Sequence, residues 1–175
     1  MDSAGLIARL QSAPYSYPEV GAVTGKPLPA GYDHLRRAAV LGGREHFTTA
    51  VDDLFRWRMH ARSGIQVAPS APVAEPGVIF VQRFRLGPIV LVAPCRVVEV
   101  TTGPDRAALI YGTLPGHPER GEECFLIERR RDGVVTLKIT AFSRPAAWYA
   151  RLGGPVTKQV QALITERYLR ALRQQ

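Results

Sequence analysis

Thirteen residues between Tyr111 and Glu123 carry a tyrosine, a histidine and three glutamates: Tyr111, His117, Glu119, Glu122 and Glu123. An imidazole titrates near pH 6.5, so a histidine can take up and return a proton at neutral pH. His117 as base, Glu119 as its orienting partner and Tyr111 as proton donor form a catalytic set, with Glu122 and Glu123 adding charge. The same residue types could bind a metal, but no fixed ligand spacing accompanies them. The H-x-E of His117 and Glu119 would need a P-C-x-x-C partner to build a zinc deaminase centre. Pro94-Cys95 occurs, but Val98 stands where the second cysteine would be, so no metal is assigned. No P-loop, G-x-G-x-x-G, G-x-S-x-G or H-E-x-x-H is present either, and no cofactor is expected. The competing reading of this stretch is a hairpin connection stiffened by Pro115, Gly116 and Pro118, with its acids in solvent.

Arg96 is a second candidate. It follows Cys95 in a strand otherwise built of Val97, Val98 and Val100. Pointing inward, it would anchor an acidic group of a ligand; pointing outward, it is a solvated strand residue. Alternation alone leaves both open. Trp57 and His60 on a first long helix, and Trp148 ahead of the last one, could line the mouth of a cavity or be ordinary core.

These side chains need elements to position them. A short helix over residues 1–12 is followed by Pro14, Pro18, Pro27 and Pro29, which hold the chain extended while Tyr15, Tyr17 and Tyr32 pack on the body. Gly31 to Leu41 reads as a strand. A helix over Arg44 to Arg62 follows, with Phe47, Val51 and Leu54 at helical spacing and Ala50, Trp57 and Ala61 widening the stripe. Residues 66–77 read as a loop. Val78 to Leu86 alternates apolar residues with Arg83 and Arg85. Ile89 to Val92 and Arg96 to Thr102 follow, with Pro94 breaking or bending the pairing between them. Arg106 to Leu114, Glu122 to Arg130 and Val134 to Ser143 complete the strands, the last two turning at Asp132-Gly133.

In the final strand Val135, Leu137, Ile139 and Ala141 share one face and Thr136, Lys138 and Thr140 the other. The dry face needs a cover. A helix from Pro155 to about Leu172 supplies it, roughly 27 Å long at 1.5 Å per residue, with Val156, Val160, Leu163, Ile164, Tyr168 and Leu172 as its stripe. The resulting class is α+β, with an antiparallel sheet of about six to seven strands closed by a long C-terminal helix. Leu137, Ile139 and Leu163 are expected on the wall of a cavity between them. No helix separates the strands between residues 78 and 143, which disfavours a parallel α/β fold.

A chain of 175 residues, 46% of them hydrophobic, is the size of one domain with a real core; residues 1–31 form an extension packed on it. The longest apolar stretch, Leu86 to Cys95, is far shorter than the roughly 20 residues a membrane span needs. The N-terminus has no apolar signal segment, so a cytoplasmic location is expected. The net charge is +8, yet only Lys26, Lys138 and Lys158 are lysines. Arginine grips carboxylates and phosphates, but here it is scattered. No element interleaves it with exposed aromatics, so nucleic-acid binding ranks behind small-molecule binding. Cys95 and Cys124 fit no metal or redox spacing and read as buried thiols, with no disulfide expected because they fall on non-neighbouring strands.

The wording of several segments is also distinctive. Tyr17-Pro18-Glu19-Val20-Gly21, Pro27 to Tyr32, Trp57-Arg58-Met59-His60, Ala93 to Val98, Tyr111 to Glu123, Ala141 to Pro145 and Leu152 to Pro155 resemble the family known as domain of unknown function 1990. That family is similar to the START and birch-pollen-allergen superfamily. The resemblance implies a helix-grip fold, in which a curved sheet wraps the C-terminal helix and leaves a ligand cavity; it implies no activity. The expected function is therefore the binding of an apolar or amphipathic small molecule between sheet and helix. The alternative is a cofactor-independent cyclase, isomerase or dehydratase using the same cavity, where confinement of a flexible substrate itself assists reaction.

Overall fold

The structure is a computed structural model describing residues 2–86, 89–146 and 154–173. Seven strands form one antiparallel sheet: β1 (Asp33–Gly42), β2 (Gln66–Pro69), β3 (Ile79–Leu86), β4 (Ile89–Thr102), β5 (Arg106–Thr113), β6 (Glu119–Arg129) and β7 (Val135–Pro145). Their order is β1-β7-β6-β5-β4-β3-β2, a meander whose first strand returns to pair with the last, Asp33 opposite Ser143. Among the described residues four α-helices accompany it: α1 (Ser3–Leu10), α2 (His46–Phe55), α3 (Arg58–Arg62) and α4 (Gly154–Ala171). This is the expected α+β helix-grip arrangement.

Strand alternation gives the sheet two apolar faces, and each is covered differently. The inner face presents Phe80, Cys95, Val97, Leu109, Tyr111, Phe125, Ile127, Leu137 and Ile139, packed with Phe47, Ala50 and Leu54 of α2 and with Tyr168, Leu169 and Leu172 of α4. The outer face presents Ala108, Ile110, Cys124 and Phe142, covered by Tyr17, Val23, Leu28 and Tyr32 of the N-terminal segment. A prolyl-rich extended path thus serves as a lid on the second face, with Tyr17 and Tyr32 edge-on to Phe142.

Three elements differ from the expectations. The helix over residues 44–62 is broken into α2 and α3 at Trp57, whose φ of 64° is left-handed. A bulky residue adopts that conformation at a cost of about 1–3 kcal/mol. It is held there by its ring, which packs on Phe80, and by its indole N–H, which donates to the Ala71 carbonyl at 3.2 Å. The loop over residues 66–77 contains the edge strand β2, paired with β3 from Gln66–Arg83 to Pro69–Phe80. Pro94 does not interrupt β4: it lies opposite Val81, and its carbonyl accepts from Leu114. In an antiparallel ladder a residue's N and O point to the same side. The missing N–H therefore faces the end of β5, not β3, and costs no bond to β3. Cys95 and Cys124 are free thiols, on opposite faces of the sheet, with β5 between their strands.

Candidate functional site

Around Phe125, Ile127, Leu137 and Ile139 the inner face is packed into one cluster with residues of α2, α3 and α4. Toward the start of β6 and the end of β7 the residues become polar or small, and α4 does not close down on them. A cavity of about 150 Å³, partly open to solvent, remains there. Phe84, Leu91, Ala141 and Ile164 give it an apolar side, while Gln82, Tyr111, His117, Glu119, Glu123 and Tyr168 give it polar groups.

Alternation along β6 decides which acids face inward. Glu119, Gly121 and Glu123 share the face of Phe125, whereas Glu122 points outward. The Tyr111 hydroxyl donates to Glu123 Oε2 at 2.9 Å. Burial pushes the Glu123 carboxyl up to about 7, the bond from Tyr111 opposing the shift and nearby Glu119 adding to it. Burial raises the Tyr111 and Tyr168 phenols well above 10, so both remain donors. The Tyr168 hydroxyl donates to Gln82 Oε1 at 2.9 Å, and Gln82 Nε2 points at Cys95 Sγ, 3.8 Å away. Burial also raises the Cys95 thiol, which argues against a nucleophilic thiolate. Gly121 is required by close approach: a Cβ there would lie 1.9 Å from the Phe142 carbonyl oxygen.

His117 and Glu119 both reach the cavity, but not as the expected dyad. The His117 ring meets the Glu119 backbone: Nδ1 lies 2.9 Å from its amide and 3.0 Å from its carbonyl. Burial lowers the His117 imidazole to about 4, so it is neutral at pH 7. The Glu119 carboxyl is raised by burial, against a hydrogen bond from Ser143. Glu122, considered with them in the sequence, anchors the N-terminal segment instead. It accepts from the Tyr17 hydroxyl at 2.6 Å and from the amides of Gly21 and Val23 at 2.8 and 3.0 Å.

The remaining candidates fall elsewhere. Arg96 points to the outer face and caps the C-terminal end of α1, donating to the carbonyls of Leu10, Gln11 and Ala13 at 2.6 to 2.8 Å. Its guanidinium lies over Tyr15, and it does not reach the cavity. Trp57, Leu137 and Ile139 are buried core rather than cavity wall. Leu163, expected on that wall, is 49% exposed, because the buried face of α4 runs through Thr165, Tyr168, Leu169 and Leu172. Trp148 lies outside the described residues. His60 is fully buried behind the cavity, ringed by Trp57, Phe80, Tyr111, Phe125 and Tyr168. It is core rather than cavity mouth, neither of its nitrogens has a hydrogen-bond partner, and burial lowers its imidazole to about 3.

Gln82 is the cavity residue that reasoning about single motifs passes over, while Glu123 enters the sequence reading only as added charge and Tyr168 only as part of the apolar stripe of α4. Their signal lies in the alternation. Glu123 is in phase with Phe125 and Ile127, Gln82 sits between Phe80 and Phe84 on one face, and Tyr168 falls four residues after Ile164.

Comparison with known proteins agrees with this fold. The family model described as domain of unknown function (DUF1990) matches residues 16–171, and the chain belongs to that family. A UPF0548 protein of Arabidopsis thaliana is 33% identical over 128 residues, 70% of this chain and 62% of that protein. The chain spans less than two thirds of the length of the curated relatives it matches. Among solved structures, hypothetical protein jhp0584 from Helicobacter pylori superposes with a TM-score of 0.63 at 10% identity, covering 80% of this chain and 85% of that one. Zhui aromatase/cyclase from Streptomyces sp. R1128 does so with a TM-score of 0.59 at 12% identity, covering 81% and 91%.

Proposed function

We propose that this member of the DUF1990 family binds a small amphipathic molecule in the cavity between the sheet and α4. The observation that carries the reading is the cavity itself, where Phe84, Leu91, Ala141 and Ile164 face a group of polar side chains centred on Glu123. Its volume of about 150 Å³ sets the size of the guest. Drug-sized ligands occupy pockets of roughly 300–1,000 Å³, whereas an apolar cavity of roughly 150 Å³ accepts benzene. The guest is therefore about one ring in size, its apolar part on Phe84 and Ile164 and a polar group at Glu123 and Tyr111. Native mass spectrometry of freshly purified protein tests this together with thermal-shift screening of one-ring compounds. Retention of such a compound, or a rise in Tm that is lost on widening Ala141 to Leu, is the expected result. If no one-ring compound shifts the Tm at millimolar concentration, the reading falls.

One observation favours a second reading, a cofactor-independent enzyme of cyclase, isomerase or dehydratase type. Those reactions share a proton transfer, and a carboxyl held at about 7 beside a phenol suits general acid–base work at neutral pH. The structurally similar aromatase/cyclase lends it only fold-level analogy. Deuterium uptake at the methyl group of acetophenone, followed by NMR, is expected to be accelerated by the protein and lost in Glu123→Gln. Equal uptake with and without protein would sink this second reading while leaving the binding one intact.

A further inference from the structure

The charges around the cavity narrow what can occupy it, a step that rests on the binding reading above. Among the described residues lining the cavity are three glutamates, Glu119, Glu122 and Glu123, and neither arginine nor lysine. The Glu122 carboxylate is turned away and held by Tyr17, Gly21 and Val23, which leaves two carboxyl groups facing inward. The groups facing Glu123 come from every neighbouring element: Tyr111 from β5, Cys95 from β4, Tyr168 from α4, Glu119 from its own strand and His117 from the β5–β6 connection. His117, the basic side chain among the described lining residues, is neutral at pH 7, since burial lowers it to about 4. Glu123 Oε2 is engaged by Tyr111, while Oε1 has no hydrogen-bond partner among the described residues. The site is thus a ring-sized cavity with aromatic walls and an acceptor oxygen left open.

Three classes of guest meet different fates there. A carboxylate or phosphate would lose its hydration and meet two acids, an arrangement strongly disfavoured in a desolvated site. A neutral guest would leave the open oxygen of Glu123 with at most one hydrogen bond. An ammonium group supplies both a charge and up to three donors, and its neighbours Tyr111, Tyr168 and Phe84 present rings that attract cations when suitably placed. We propose that the cavity binds a one-ring organic amine in its protonated form, with Glu123 as its counter-ion. Binding then displaces the proton that Glu123 holds below about pH 7, so amine affinity rises from pH 5 to pH 8 and binding near pH 6 releases a proton to the buffer.

Titration calorimetry of the full chain with benzylamine, benzyl alcohol and benzoate separates the classes at constant ring size. At pH 8 benzylamine is expected to bind at least tenfold more tightly than the other two. At pH 6 its apparent enthalpy should change between phosphate and Bis-Tris buffers in proportion to their ionisation enthalpies. Glu123→Gln, checked for folding by its thermal melt, should lose at least tenfold in benzylamine affinity and keep its affinity for benzyl alcohol. Tight binding of benzoate or benzyl alcohol at the amine's level, or unchanged benzylamine affinity in Glu123→Gln, overturns the amine inference and leaves the cavity reading standing. Failure of all three compounds to bind overturns both. The comparison on the unsubstituted chain decides the matter even if the variant does not fold.

Discussion

Replacing Glu123 by glutamine tests the electrostatics of the cavity without any ligand. The carboxyl sits at about 7 against an ordinary 4.5, chiefly through burial. Below pH 4.5 it is protonated in both folded and unfolded chains and contributes nothing to the pH dependence. Between 4.5 and 7 the unfolded chain releases the proton and the folded one keeps it. Folding therefore becomes less favourable as pH rises through this window, and the loss is complete above about 7. At ~1.4 kcal/mol per pH unit the full effect is ~3 kcal/mol. Solvent entering the partly open cavity screens some of that, so ~2 kcal/mol is the expected size. Glutamine accepts the same bond from Tyr111 and cannot ionise. The variant should match the parent near pH 4.5 and exceed it by ~2 kcal/mol at pH 8, about 4–8 °C in Tm for a chain of this length. Circular-dichroism melts of both proteins at pH 4.5, 6, 7 and 8 provide the measurement. A Tm difference that stays constant across that range would refute the assignment of a buried, protonated Glu123.

Other perturbations separate structural roles from site roles. His60, buried and without partners, is held at about 3 against 6.5 when unfolded, so its contribution is intact above pH 6.5 and is lost as pH falls. His60→Leu should therefore gain ~2 kcal/mol on the parent between pH 7 and pH 5, read from urea midpoints at both pH values. Glu122→Ala leaves the amides of Gly21 and Val23 without their acceptor. A cost of ~2–4 kcal/mol and faster chymotryptic cleavage after Tyr15 are expected, the latter followed by mass spectrometry. Arg96→Lys keeps the charge but loses the fork that reaches three carbonyls at the end of α1. Amide exchange in α1 should speed up about tenfold, with the affinity for any cavity ligand unchanged.

Much of this architecture is legible in the sequence because strands and helices write their burial at fixed periods. The alternation of Val135, Leu137, Ile139 and Ala141 identifies β7 and its buried face, and the stripe ending in Tyr168 and Leu172 identifies α4. Phase is harder to read. Leu163 adjoins Ile164 and is as apolar, yet it turns to solvent, since a helical stripe read without its partner surface is uncertain by about one residue on either flank. Trp57 shows the other limit: its left-handed backbone follows from where its ring docks on Phe80, a contact between distant segments. Pro94 reads as a break or bend because local rules assign it no ladder position. The end of β5 beside it, which removes the need for its N–H, is set by register rather than by neighbours in sequence. For Arg96 alternation leaves both faces open, and the end of α1 at Leu10, 86 residues away in sequence, settles the matter.

The cavity is the place where the fold departs from what packing alone would select. Interiors are close-packed and their buried polar groups are paired. At one end of the inner face the chain follows that rule, with Phe125, Ile127, Leu137 and Ile139 fully buried. A few residues along the same strands it sets Glu123, Glu119 and Ser143 on that face and leaves a void over them. Leucine at 123 would fill space and remove a carboxyl whose ionisation opposes folding at neutral pH. The neighbouring position shows that glutamate alone does not create this tension: Glu122, one residue away on the opposite face, has three donors closed around it. Two adjacent acids on one strand thus have contrasting surroundings, one saturated by the chain itself and the other left with an open oxygen in a cavity. The acid that the chain leaves incomplete is the one placed to be completed by a ligand.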